Sequence, residues 1–174
     1  MKRTYLALGI GFIALALVAA AQQPAKTASW EAWRPLVGNW VGEGPSSQGA
    51  SYFSFLPDLQ DRILVRKNHA EYPAANGRPA IVHDDLMIIY GDSGPGQKAV
   101  YFDNEGHVIE YAVSFLPDKK AIVLVSPAVS GAPRYRLSYF PLDQDRVRIT
   151  FEIAPPGQPE SFGMYLEGVG RRQG

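Results

Sequence analysis

Apolar and polar residues alternate with a period of two along most of this chain. In the stretch Arg146–Ile153, Val147, Ile149, Phe151 and Ile153 fall on one face, and Arg146, Arg148, Thr150 and Glu152 on the other. In His107–Phe115, Ile109, Tyr111, Val113 and Phe115 share a face opposite Glu110 and Ser114. The same reading predicts strands at Asn39–Glu43, Ser51–Leu56, Arg62–Tyr72, Ile81–Tyr90, Lys98–Phe102, Ala121–Ser126, Arg134–Phe140 and Ser161–Arg171. The breaks between runs hold turn chemistry such as Pro57-Asp58, Asn76-Gly77-Arg78-Pro79 and Pro155-Pro156-Gly157. No amphipathic helix long enough for a parallel crossover separates any two runs. Sequence neighbours are therefore expected to pair as an antiparallel meander. A sheet with one apolar face must hide it, by packing on a second sheet or by curling up. The expectation is an all-β, up-and-down antiparallel barrel of about ten strands, a closure that also removes its exposed edges.

Ahead of the first strand, Trp30, Trp33, Leu36 and Val37 lie at helical spacing. They predict a short helix with Ser29 or Thr27 as its N-cap, packed as a plug on one end of the barrel. Residues 1–21 read as an export signal. Lys2 and Arg3 precede an apolar run from Tyr5 to Val18, and Ala19-Ala20-Ala21 offers small residues before Gln22. The apolar run is short for a membrane span of roughly 20 residues, so no membrane span is expected after cleavage. Residues 22–29 read as a flexible linker and residues 30–174 as one barrel domain. The expected destination is periplasmic or secreted.

Composition narrows the chemistry. Lys plus Arg and Asp plus Glu number 17 each, giving a formal net charge of zero. Without a basic surplus no nucleic-acid partner is expected. There is no cysteine, which removes disulfides, thiol nucleophiles and zinc–thiolate sites. No P-loop, dinucleotide fingerprint, calcium loop or nucleophile elbow is present. Gly91-Asp92-Ser93-Gly94 echoes the surroundings of a protease serine, but a Gly/Pro/Ser turn between two strands explains it fully.

The run Leu36-Val37-Gly38-Asn39-Trp40-Val41-Gly42-Glu43-Gly44 resembles the opening of calycin barrels, which include lipocalins, fatty-acid-binding proteins and nitrobindin-type proteins. In lipocalins a short helix precedes a Gly-x-Trp, and the Trp packs under an Arg from the last strand. The resemblance implies that Gly38, Trp40 and Arg171 or Arg172 close the structure, a cation lying on an aromatic face. The wording of the run is nearer to nitrobindin-type barrels. Those carry a haem-ligating His near the C-terminus, whereas no His follows His107 here. Haem is therefore disfavoured, no haem ligand is carried over, and the cofactor is left unknown.

The histidines are His69, His83 and His107. His69 and His83 are roughly equidistant from the Asn76-Gly77 turn, so they could face each other across a hairpin beside Asp84 and Asp85. Such a set could serve acid–base or metal chemistry, or be ordinary strand polars satisfied in place. Alternation puts His83 on the face of Asp85 and Met87. Tyrosines on the strands alternate with charges, including Arg62, Arg66, Glu110, Arg134, Arg136 and Glu152. Most of these charges read as outer-face residues. A Tyr–Arg pair inside an apolar pocket could instead hold a carboxylate head group.

The sequence thus points to an exported barrel that binds a small hydrophobic or amphiphilic molecule. His83, Asp85, Tyr101 and Tyr111 are the candidate ligand-binding residues, and no catalytic or metal-binding residue is assigned. The alternatives are a barrel enzyme using His69, His83 and Asp85, and a non-catalytic envelope protein whose barrel is filled.

Overall fold

Every strand pairs antiparallel with its neighbour in sequence, and the last pairs with the first. The result is a closed ten-strand barrel in the computed structural model of the chain. The structure describes residues 30–44, 49–75, 77–91 and 96–174. The predicted leader and linker, the caps Thr27 and Ser29, the turn residue Asn76 and the Asp92-Ser93-Gly94 segment lie outside the described residues. The strands are β1 (Gly38–Gly42), β2 (Ala50–Asp58), β3 (Ile63–Tyr72), β4 (Ile81–Tyr90) and β5 (Lys98–Asp103). They continue as β6 (Val108–Leu116), β7 (Ala121–Val125), β8 (Arg134–Pro141), β9 (Arg146–Ala154) and β10 (Gly163–Arg172). Each lies where the strand-like runs and their turn breaks predict a strand.

The expected N-terminal helix contracts to a single 3₁₀ turn, Glu31–Trp33. Trp30 occupies its N-cap position and makes no side-chain capping bond. Pro35 supplies the reason. It has no N–H to give to a further turn, although Arg34 itself keeps right-handed helical backbone. The plug forms nonetheless. Trp33 and Leu36 are fully buried, with Trp30 and Val37 packed against the same cluster. The indole N–H groups find acceptors throughout: Trp30 donates to the Asp61 carbonyl, Trp33 to Gln97 Oε1 and Trp40 to the Leu36 carbonyl, at 3.0, 2.8 and 2.8 Å. Satisfied donors let these large rings be buried without the penalty of an unpaired polar group. Trp40 stacks on Phe53, and Trp33 packs against Phe55 and Phe115. This aromatic layer seals the end of the barrel that carries the β2–β3, β4–β5, β6–β7 and β8–β9 connections.

Closure is made where β1 meets β10. Trp40 lies opposite Arg172 in the ladder, and the guanidinium carbon sits 4.3 Å from the centroid of the indole. The same guanidinium donates to the carbonyls of Pro35 and Val37 at 2.7 Å each, and to Gln144 at 3.0 Å. Arg172 therefore ties the plug, the first strand, the last strand and the β8–β9 turn together. Gly38 makes room for it. Its φ is +124°, and a Cβ there would stand 3.0 Å from Arg172 Nη1. Arg171 faces outward beside Val41, exposed, and takes no part in the seam. Adjacent residues of a strand point to opposite faces, so only one of the two arginines can meet the indole.

Arg172→Ala removes the cation–aromatic contact and three charged hydrogen bonds. It should lower the unfolding free energy by about 2–4 kcal/mol. Arg171→Ala should stay within about 0.5 kcal/mol of the parent. Urea denaturation of both variants separates the two.

Candidate functional site

A ring of ten strands encloses more space than its inward side chains fill. Here a cavity of about 770 Å³ occupies the upper barrel, above the aromatic seal. The interior is thus not packed solid, contrary to the filled-barrel alternative. The cavity opens at the end bearing the β3–β4, β5–β6 and β9–β10 connections, where Tyr72, Ile81, Tyr165 and Leu166 line the rim.

Its two long walls differ in kind. β8, β9 and β10 present an apolar and aromatic wall. Tyr135 and Phe151 stack with ring centroids 5.9 Å apart, and Phe151 meets Tyr165 edge to face at the same distance. Leu137, Ile149 and Ile153 fill in around them. Gly168 lies on this wall, and a Cβ built there would meet nothing within 4 Å. A patch of the cavity is therefore left open by the absence of a side chain.

β3, β4 and β5 present the polar wall. At its deepest point Arg66 and Asp85 form an ion pair whose side chains are 8% and 4% exposed. His83 follows, 24% exposed, with Nε2 at 3.4 Å from Asp85 and 3.1 Å from the Tyr101 hydroxyl. Its Nδ1 lies 3.1 Å from Glu105. The Tyr101 hydroxyl also donates to Asp103 Oδ2 at 3.3 Å. Asp103 accepts from the backbone N–H groups of Glu105 and His107 at 3.0 and 2.8 Å, and its Oδ2 is 2.7 Å from His107 Nδ1. His107 and Glu105, 53% and 55% exposed, bring the chain of contacts to the mouth. A connected ladder of charges thus climbs from the core to the rim.

The environment fixes protonation along this ladder. Asp85, then Glu105, hold the His83 imidazolium against the opposing effect of burial, and its pKa is pushed up to about 9. Burial would lower that of Arg66, but its neighbours, Tyr139 and Asp85 foremost, raise it above the usual value. Burial would raise Asp103, but hydrogen bonds from His107 and the Glu105 backbone lower it. Burial first, and then Asp85 and Asp103, push the Tyr101 phenol up. Burial does the same for Tyr111, and raises Tyr139 to about 12. At neutral pH Arg66, His83 and Asp103 are thus charged, and the phenols of Tyr101, Tyr111 and Tyr139 are neutral.

Of the sequence candidates, His83, Asp85, Tyr101 and Tyr111 all line this cavity. His69 does not. The register pairs His69 with Asp84 and Ala70 with His83, so His69 points outward. There it stacks on Tyr52 and contacts Asp84 and Glu71. It borders a shallow outer groove of about 790 Å³. The expected hairpin symmetry was off by one residue, and a one-residue offset moves a side chain to the other face. A site using His69 with His83 is thereby excluded. Among the described residues, no group of three or more His, Asp or Glu is arranged to hold a metal ion.

Arg66, Asp103 and His107 are site residues that alternation could have found; Glu105 lies in the β5–β6 turn, where period two carries no signal. Leu64, Arg66, Asn68 and Ala70 share the inward face of β3, so the charge of Arg66 sits in an apolar register. Reading it as an outer charge follows the general rarity of buried arginine. By contrast, Arg136 points outward as expected, in a two-pronged pair with Glu152 at 2.5 and 2.7 Å.

No family model matches the chain, and no similar curated protein is found.

A raised imidazole pKa stabilises the fold fully below its unfolded value near 6.5, and that contribution is lost as pH rises through about 9. Thermal stability should therefore fall between about pH 6.5 and 9.5. His69, raised by Asp84 and Glu71, contributes with the same sign. His83→Gln should flatten most of the slope, as read by melting temperature across that range.

Proposed function

We propose that this chain is an exported carrier of a small hydrophobic or amphiphilic molecule, held in the barrel cavity. The observation that carries the reading is the division of the interior into an aromatic wall on β8–β10 and a polar wall on β3–β5. A cavity of about 770 Å³ is within the usual range for small-molecule sites, roughly 300–1,000 Å³. An apolar body gains from leaving water against the first wall, at about 25 cal/mol per Å² buried. A polar end finds hydrogen-bonding groups on the second. His83, Asp85, Tyr101 and Tyr111 are the proposed contacts on the polar side. One closed end and one open end suit reversible loading.

Kinship with calycin barrels is part of the same proposal. The Gly38-x-Trp40 opening, the strand count and the Arg172–Trp40 contact support it. Export is supported by the basic start, apolar run and small residues of positions 1–21. The unbroken pairing of charges along the polar wall favours a binding role over catalysis, because no base or nucleophile there is left uncommitted.

Fluorescence of the uncharged dye N-phenyl-1-naphthylamine should rise on addition of the protein. Gly168→Phe should fold normally, since the space it fills is empty, and weaken dye binding by at least about tenfold, or 1.4 kcal/mol. Unchanged affinity would rule the cavity out as the dye's site. Intact mass of the protein recovered from the cell exterior or envelope should correspond to a chain starting at Gln22.

A further inference from the structure

The carrier reading leaves open which kind of polar end the cavity accepts. The obvious guess from an interior arginine is a carboxylate, as the sequence suggests for a Tyr–Arg pair. The geometry points elsewhere. We infer that the barrel selects amphiphiles with an uncharged, hydrogen-bonding head group and discriminates against carboxylates, and that Asp85 is the residue responsible.

The first line of argument is charge. Arg66 is the one arginine lining the cavity among the described residues, and Asp85 already neutralises it. The other oxygen of the same carboxylate lies against His83. His83 also has Glu105, and Asp103 is held by His107 and two backbone N–H groups. The wall carries the carboxylates of Asp85, Asp103 and Glu105 against the Arg66 guanidinium and the His83 imidazolium, so it has no positive surplus to offer an anion. A carboxylate brought to this depth would lose its hydration and face Asp85 and Asp103. Burying an ion without a partner costs several kcal/mol. Entering instead as the neutral acid means first protonating a group of pKa about 4–5 at neutral pH, at 1.36 kcal/mol per unit.

A second line is the identity of the groups left free. Asn68 lies on the inward face beside the ion pair, opposite Asp85 in the register, and lines the cavity. Tyr111 lines it from β6. Neither makes a side-chain hydrogen bond to another described residue, whereas every charged group on the wall does. The free donors and acceptors thus include the Asn68 amide, the Tyr111 phenol that burial keeps protonated, and the buried Arg66 Nε–H, which has no partner although Asp85 matches the guanidinium charge. Such groups suit a hydroxyl, carbonyl or amide, each of which can both be desolvated cheaply and be satisfied by them. Asp85 converts what would be an anion receptor into a neutral-head receptor by matching the guanidinium's charge through Nη1, leaving Nε–H as a donor for an uncharged acceptor.

The test rests on the carrier reading and separates its own failure from that one. Dodecanol and dodecanoate, identical but for the head group, compete against N-phenyl-1-naphthylamine at about pH 7. Dodecanol should displace the dye at least about tenfold more effectively than dodecanoate, the equivalent of 1.4 kcal/mol. Asp85→Asn frees Arg66 and should reverse the order, dodecanoate becoming the better competitor. Equal competition, or a preference for dodecanoate in the parent, overturns the head-group assignment and leaves the carrier role standing. A preference for dodecanol that Asp85→Asn does not alter overturns the role of Asp85. Should the dye not bind the parent at all, both readings fall. The parent comparison decides head-group preference even if Asp85→Asn does not fold.

Discussion

A ribbon of ten strands has two edges, and the molecule exists as a barrel because those edges find each other. The Arg172 guanidinium over the Trp40 indole is the contact that fixes where they meet. Ladder hydrogen bonds between β1 and β10 alone would allow a slipped register. A cation confined between an indole and the carbonyls of Pro35, Val37 and Gln144 does not. The same residue reaches the plug, so the seam and the floor of the barrel are set by one side chain. Its contribution of a few kcal/mol is a large part of a total stability that for such domains is about 5–15 kcal/mol.

Once the ring is closed, its circumference decides what the inside can be. Below, the space is consumed by Trp33, Trp40, Phe53, Phe55 and Tyr139, which interlock as an aromatic floor. Above, the same strands carry smaller or polar residues, and a cavity remains. The buried ion pair at the boundary is the expensive element. Arg66 is packed over Phe53, and losing Asp85 alone would leave a buried cation, at about 3–5 kcal/mol. A pair of this kind does little for stability compared with an apolar substitute of the same size.

Much of this was legible in the chain. Ten strands were readable because each joins period-two alternation to a Gly, Pro, Asn or Asp break, and both signals are local. The Trp40 seam was readable because Gly38-x-Trp40 and the terminal arginines are few and distinctive, although which arginine faces the ring depends on register. Register was the weak point elsewhere too. His69 and His83 looked like partners until a single-residue offset turned one outward. Arg66 was hidden by its own chemistry, since its inward position is revealed only by the apolar phase of its neighbours. The helical spacing of Trp30 to Val37 was real, but Pro35 held the helix to one turn. Nothing local distinguishes a barrel that is full from one that is hollow, because volume is set jointly by side chains far apart in sequence.

Among the described residues, the aromatic floor leaves the hollow open at the opposite end. For the carrier proposed above, a guest would leave by the path along which it came, and resident water would slip past it during entry. Whatever lies outermost in the occupied state is then also first to be seen by any acceptor. Along that path the charged ladder, its ions already matched with one another, runs from the depths to the threshold. For such a carrier, loading and discharge would be two directions of travel past one lip, formed by His107, Glu105 and Tyr165.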